Sequence, residues 1–314
     1  MATTVNIAGN YAGELAAGYI APAILMANSI EQGLVTLHER VAYKMNVRNL
    51  DATVVMADSS CDFTDAGEMN VSDTVLTLKD LMVNMEYCKS DLWDQWESVQ
   101  MAGQRRQAPV PTSFQDFLLE RIALQTSKLV ETYLWDGSNT SGQFEGLIPK
   151  LEASASSVKV NLDTLTSANI IAAIAEVKDA VPTAVKQAAG GYSIMMNLAT
   201  FDLYQRALGY GQLTGSVYIN SYNNNIVVDA KPASFEGIPI LIGNGIPGNT
   251  IVAGNSANLH VGTNLSADWQ RNGIIIVDRT ETAAELNVRI RQDFSIGTQI
   301  TNDSDLVIAN TSVS

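Results

Sequence analysis

The sequence predicts an α+β fold, and two observations carry that assignment. One long amphipathic helix lies in the middle of the chain, and stretches of strand character stand on both sides of it. The helix is read from Ser113–Pro149, SFQDFLLERIALQTSKLVETYLWDGSNTSGQFEGLIP. Pro109 and Pro111 precede it, and Ser113 with Asp116 makes a carboxylate form of the capping box. Phe114, Leu118, Ile122, Leu129 and Tyr133 recur at spacings of four and seven, while Asp116, Glu120, Ser127 and Glu131 fall on the opposite side. Gly137 is a natural residue to end it, because glycine tolerates a left-handed backbone. From Ser113 to Trp135 such a helix runs about 35 Å. A helix of that length with one apolar stripe needs a sheet to lie on.

The elements around it follow in order. Residues 1–13 are small and polar and read as an arm. Glu14–Ala27 carries Pro22, which predicts a broken helix. Ser29 and Gln32 cap a short helix ending near Leu37. Val41, Tyr43, Met45 and Val47 alternate with polar residues, and Thr53-Val54-Val55 continues as strand. Ala57–Asp73 is acidic and turn-rich, and strand character returns at Val75–Leu78 and Leu81–Tyr87. Two strands joined by a long polar tip make an extended hairpin, which is marginal in water without a neighbour. Asp91–Trp96 starts a short helix, and Gly103–Pro111 is a linker.

After the long helix, Leu151–Lys159 is Ser- and Ala-rich and predicts a crossing between lobes. Ile170, Ile171, Ile174, Val177 and Val181 predict a helix that Pro182 interrupts. Tyr192–Met196 reads as a buried strand and Thr200–Leu208 as a helix. Gly209–Asn225 is a long loop of Gly, Tyr and Asn. Short strands are expected at Ile226–Asp229, Ile238–Ile242, Thr250–Ala253 and Asn258–Val261. Further strands are expected at Gly273–Asp278, Glu285–Arg291 and Leu306–Ala309. There is no internal repeat.

Composition narrows the function. The 314 residues allow two or three lobes, and the 46% hydrophobic content is that of a globular chain. Charged residues are 17%, against about 25% in ordinary domains. So lean a charged surface favours burial against other subunits. The net charge of −14 and pI near 4.5 speak against a sequence-independent nucleic-acid binder, which needs clustered Lys and Arg. Arg105-Arg106 is the one adjacent basic pair. Cys61 and Cys88 make no disulfide framework, which fits a reducing compartment. Neither a signal peptide nor a membrane span is expected.

The ordered set of passages resembles the tailed-phage major capsid proteins with the Hong Kong 97-like fold. Phe144-Glu145-Gly146-Leu147-Ile148 after Trp135-Asp136-Gly137 is similar to one passage of that family. Met196-Asn197 followed by Thr200-Phe201-Asp202-Leu203 is similar to a strand-to-helix passage. Phe235-Glu236-Gly237-Ile238-Pro239-Ile240 resembles a Gly-x-Pro strand, and Val288–Phe294 with Asp305–Ala309 resembles the closing strands. The resemblance covers nearly the whole chain, and its order counts for more than any single motif. Tyr11-Ala12-Gly13-Glu14 and Asp62-Phe63 look closest to capsid proteins of phages infecting Bacteroidetes, including the crAss-like group.

The resemblance implies an N-terminal arm with short helices (1–40), an extended hairpin loop laid across a neighbour (41–90) and a peripheral domain (91–161) with spine helix 113–136. An axial domain (162–267) and C-terminal strands (268–314) complete it. Function would be self-assembly, through hexameric and pentameric capsomers, into an icosahedral shell around double-stranded DNA that is held without sequence-specific binding. Assembly would take place in the bacterial host cytoplasm, with no membrane and no cofactor. Separate scaffolding, portal and cement proteins are the implied partners; Met1 lies so close to the arm that scaffolding would be a separate protein. Asp58, Asp62, Asp65 and Glu68 at the hairpin tip are candidates to meet Arg105, Arg106 or Arg121 of a neighbour. Such exposed pairs set register rather than bulk stability. Tyr210, Tyr218, Tyr222 and Asn224 would line the capsomer centre. Some capsids of this fold crosslink Lys to Asn, but no residues here match that site.

Two other functions are compatible with parts of the sequence. An encapsulin-type nanocompartment shares the fold. A nucleotide-dependent enzyme could use Gly243-Asn244-Gly245-Ile246-Pro247-Gly248, which fits G-x-G-x-x-G but leads into a strand rather than a helix, as a plain turn would. His38 and His260 lack H-E-x-x-H spacing, and no serine stands in G-x-S-x-G, so neither a metal nor a catalytic site is expected. Asn302-Asp303-Ser304-Asp305 lacks the spacing of a Ca²⁺ loop and reads as a turn.

Overall fold

A computed structural model describes residues 28–56, 58, 67–88, 112–188, 190–208, 234–264 and 287–311. In chain order the elements are α1 (Asn28–Glu31), β1 (Thr36–His38), β2 (Lys44–Thr53), β3 (Glu68–Thr77), β4 (Lys79–Cys88), α2 (Thr112–Asp136), α3 (Leu147–Ala153), β5 (Val158–Asn161), α4 (Ile170–Ala180), α5 (Thr183–Gln187), β6 (Ser193–Met196), α6 (Leu198–Ala207), β7 (Ser234–Phe235), β8 (Ile238–Ile242), β9 (Ile251–Gly254), β10 (Leu259–Thr263), β11 (Asn287–Ile300) and β12 (Val307–Asn310). The helix-and-sheet content is that of an α+β protein. The strands form a six-stranded sheet in the order β5-β12-β9-β6-β8-β7, a four-stranded sheet in the order β1-β10-β11-β4, and a separate two-stranded hairpin, β2-β3.

The six-stranded sheet is a wall between two cores. Its central strands β6, β9 and β12 are apolar runs, buried throughout. Strand side chains alternate between faces. Accordingly Met195, Val252 and Ile308 enter one core, with Val130, Leu134 and Trp135 of α2 and Leu147, Ile148 and Leu151 of α3. Their neighbours Ile194, Met196, Ile251, Ala253, Val307 and Ala309 enter the other, with Ile170, Ile174 and Val177 of α4 and Phe201 and Tyr204 of α6. A strand covered on both faces needs a continuous hydrophobic run, which is why these segments lack alternation. The four-stranded sheet closes the first core through Leu259, Val261, Phe294 and Ile296.

Several expectations change in detail. The short helix ends at Glu31 rather than near Leu37, because the backbone turns at Gly33 (φ 70°) and Thr36–His38 pairs with β10 as a strand. The hairpin's return strand begins at Glu68, inside the stretch expected to be polar tip. Leu81–Tyr87 leaves the hairpin and pairs with β11. Gly137 does end the long helix, but not by a left-handed backbone. A Cβ there would stand 2.1 Å from the Phe144 carbonyl oxygen, and one at Gly146 2.4 Å from the Gly137 nitrogen. The two glycines let Asp136-Gly137 and Glu145-Gly146 close on each other through Gly146 N–H to Gly137 O at 2.7 Å. The expected elements at Ile170–Val181, Tyr192–Met196, Thr200–Leu208, Ile238–Ile242, Thr250–Ala253 and Leu306–Ala309 fall on α4, β6, α6, β8, β9 and β12. Those at Glu14–Ala27, Asp91–Trp96, Ile226–Asp229 and Gly273–Asp278 lie outside the described residues.

The long helix is rotated relative to its expected stripe. Ile122 is buried, but Leu129 and Leu124 are exposed, while Thr126, Ser127 and Glu131 are inside. Apolar periodicity assigns Glu131 to solvent; the packing assigns it to the interior because other segments bring it hydrogen-bond donors.

Candidate assembly surfaces

The hairpin β2-β3 has two chemically different faces. Its antiparallel register opposes Met45 to Leu76, Val47 to Thr74, Asn49 to Ser72 and Thr53 to Glu68 on one side. On the other it opposes Asn46 to Val75, Arg48 to Asp73 and Leu50 to Val71. At the root, the first side is apolar: Val41, Leu76 and Leu78 are buried there with Met45 and Val47 against them. Farther out that side turns polar, and the apolar residues cross to the second side. Leu50 is 59% exposed, Val71 64% and Met69 68%, and Met56 beyond β2 is 97% exposed. Arg48 and Asp73 form a cross-strand ion pair at 3.7 Å between them. Among the described residues of the hairpin's outer half no side chain is buried. Two strands without a covered face are marginal in water, and a row of large apolar side chains on them marks a contact surface.

The root is fixed by a charge. Lys79, the first residue of β4, donates from Nζ to the carbonyls of Gln143 (2.7 Å), Thr140 (2.9 Å) and Asn139 (3.4 Å) and to Asn139 Oδ1 (3.2 Å). The loop after α2 thereby grips the point where hairpin becomes sheet. Lys79→Met keeps the stem and removes the donors. We expect it to cost about 1–2 kcal/mol, since the carbonyls can rehydrate. Thermal unfolding measures that loss, and faster proteolysis between β3 and β4 should accompany it.

A second anchor joins α1 to the body. Glu131 Oε1 accepts from the Ser29 hydroxyl at 2.5 Å and from the Gly245 N–H at 3.2 Å, and Oε2 accepts from the Ser29 N–H at 3.4 Å. Trp135 Nε1 donates to Ser29 Oγ at 2.7 Å. Asn28 Nδ2 donates to the Ile242 carbonyl at 2.7 Å. Gly245 sits so close to α2 that a Cβ would stand 2.0 Å from the Glu131 carbonyl oxygen. Gly243–Gly248 is therefore a turn from β8 to β9 pressed against a helix, with Ile246 buried and its carbonyl held by Asn197 Nδ2. A pyrophosphate has no helix N-terminus to meet there.

Two further polar sites lie inside. Lys150 of α3 donates to the Thr298 carbonyl (2.5 Å) and to Gln299 Oε1 (2.8 Å) of β11, with Glu145 3.7 Å away. Burial holds its pKa below the usual lysine value, against the pull of Glu145. His38 of β1 and His260 of β10 meet, Nε2 to Nδ1, at 3.1 Å. Burial, and then His38 beside it, keep His260 below the usual histidine value.

Of the residues singled out from sequence, Asp58 and Glu68 are exposed near the hairpin's outer end, and Glu68 accepts from Asn70 Nδ2 at 3.2 Å. Arg121 lies in α2, with its side chain outside what is described. Asp62, Asp65, Arg105, Arg106, Tyr210, Tyr218, Tyr222 and Asn224 lie outside the described residues. Sequence reasoning missed Leu50, Met69 and Val71 as a surface; their signal was three large apolar residues among Asn, Ser and Asp. At Asn302–Asp305, Asn302 Nδ2 bonds Asp305 and Ser304 Oγ bonds Asn302, as in a turn. Among the described residues no three His, Cys, Asp or Glu gather to hold a metal, and no helix is long and apolar enough to cross a membrane.

No protein-family model matches the chain, and no curated protein matches it by sequence. Solved structures do. A structure described as the capsid of a native GTA particle computed with C5 symmetry shares 13% identity, with 90% of this chain and 89% of that one covered at a TM-score of 0.59. The capsid of Myoviridae phage XM1 shares 13% identity over 90% and 91% of the two chains, at 0.52. A virus-like particle from Pyrococcus furiosus shares 10% identity over 95% and 99%, at 0.52. At such identities what is shared is the fold. The chain has the Hong Kong 97-like capsid fold.

Proposed function

We propose that this chain is the major capsid protein of a tailed bacteriophage, which self-assembles into the icosahedral shell enclosing the double-stranded DNA genome. The observation that carries the reading is the hairpin: a capsid-type subunit presents an apolar strip that its own described body leaves bare. Repeated copies related by symmetry can each cover the next one's strip, and closure of the set gives a shell. Hexameric and pentameric capsomers are the natural closed sets. In this reading Asp58, Asp62, Asp65 and Glu68 set register against arginines of a neighbour. We assign the chain no catalytic step; separate scaffolding, portal and cement proteins and assembly in the host cytoplasm belong to the same proposal.

Electron microscopy of the purified full-length protein, with light scattering, tests it. Closed particles of uniform size are expected, and a monodisperse monomer at all concentrations would overturn the reading. An encapsulin-type compartment shares this subunit chemistry, and the contents of particles from the native source distinguish the two: packaged DNA for a virion, a protein cargo for a compartment.

A further inference from the structure

We propose that His38 and His260 together form a binding site for one borderline divalent transition-metal ion of the Zn²⁺, Ni²⁺ or Cu²⁺ class, clamping β1 to β10. The two imidazoles come from parallel strands whose register pairs Thr36 with His260 and His38 with Gly262, so the rings meet on a diagonal. Nε2 of His38 and Nδ1 of His260 face each other at 3.1 Å, and the ring centroids are 5.2 Å apart. Two nitrogens in a tetrahedral zinc shell, each about 2.0–2.1 Å from the metal, stand about 3.3 Å apart. The nitrogen–nitrogen separation is thus within a few tenths of an ångström of that in a chelate, so a small turn of the two rings brings both lone pairs onto one ion, and imidazole is a good ligand for these ions. Neutral rings are required.

The proton balance is simple. Without metal, one N–H is shared between the facing nitrogens. When the ion binds, the donor ring carries its hydrogen on the other nitrogen instead, so two neutral rings become two ligands with no net proton release. Gln299 stands opposite His260 across the ladder with β11, and its Oε1 is taken by Lys150. Glu39, next to His38, is exposed. Since no third His, Cys, Asp or Glu closes the group among the described residues, water completes the shell. That makes the ion exchangeable, unlike a closed structural zinc. Its position gives it a role: β1 is a three-residue edge strand tying the N-terminal segment to the four-stranded sheet. A metal across His38 and His260 strengthens that tie and stabilises the bound fold.

His38 and His260 are the only histidines in the chain, so the test is clean once Cys61 and Cys88 are alkylated. Calorimetric titration of the full-length protein with ZnCl₂ should show one ion per chain. Either H38Q or H260Q should weaken it about tenfold or more, since even losing a group that only supports a ligand costs about 10–100-fold. Absence of Zn²⁺ binding, or binding unchanged in both variants, would overturn the proposal. Imidazole ¹⁵N spectra of the unaltered protein give an answer that does not depend on the variants folding. Zn²⁺ should shift His38 Nε2 and His260 Nδ1, and shifts confined to the other two nitrogens would sink the site. Neither result depends on whether the chain builds a shell.

Discussion

The double variant L50D/V71D is expected to fold as a subunit and to form no closed particles. Leu50 and Val71 oppose each other on the outer half of the hairpin, more than half exposed. Within the described chain, replacing them removes only their cross-strand contact with each other and sets two like charges opposite, so the cost should stay local to the outer hairpin, at about 1 kcal/mol. At an interface the same two side chains are each worth about 1.5–3 kcal/mol when fully buried. Aspartates would in addition have to be desolvated without a partner. A loss of about 3–6 kcal/mol per contact weakens association by a factor of about 10²–10⁴, and every subunit in a shell carries the defect. Circular dichroism should be unchanged, while sedimentation shows small species. Particles of normal size and yield would show that the strip is not an assembly contact. The matched pair N49D/S72D, on the opposite and polar side, controls for charge alone and should still assemble.

How much of this was legible in the sequence depends on what each residue packs against. The strands of the central wall were readable because burial on both faces leaves an uninterrupted apolar run, as in Ile194-Met195-Met196 and Ile251-Val252-Ala253. Helix α4 was readable because Ile170, Ile174 and Val177 repeat at helical spacing. Strand β3 was only half readable. Glu68-Met69-Asn70-Val71-Ser72-Asp73 has the composition of a turn, and it is a strand because its backbone pairs with β2, not because its side chains prefer one. For the same reason the apolar crossing from Met45 and Leu76 at the root to Leu50 and Val71 farther out cannot be recognised until the register is known. Glu131 was misread on principle: periodicity counts apolar residues, so a carboxylate at an inward position is assigned to solvent. What reverses the assignment is a set of donors from Ser29 and Gly245, remote in sequence. The Gly-x-Gly pattern was visible, but its meaning is close packing on α2.

Glu131→Ala should be the most damaging single change to the fold, at about 3–5 kcal/mol. A carboxyl group is costly to bury without partners, and the structure tolerates this one because the Ser29 N–H, the Ser29 hydroxyl and the Gly245 N–H all point at it. Removing the acceptor strands those donors at an interior site, at about 1–3 kcal/mol for each left unmet. The cavity between α1, α2 and the Gly243–Gly248 turn adds to the loss. Glu131→Gln separates the contributions. It keeps the volume and one oxygen acceptor, but its amide group adds donors where donors already converge, so an intermediate loss is expected. Hydrogen exchange locates the damage. The amides of Ser29 and Gly245 should lose protection together in Glu131→Ala, while those of the ladder between the central strands β6 and β9 lose it only with global unfolding. The Gly245 amide staying protected would mean that the turn is held by Ile246 and Asn197 alone. In that case the carboxylate anchors only α1, and the expected loss falls to that of the Ser29 contacts.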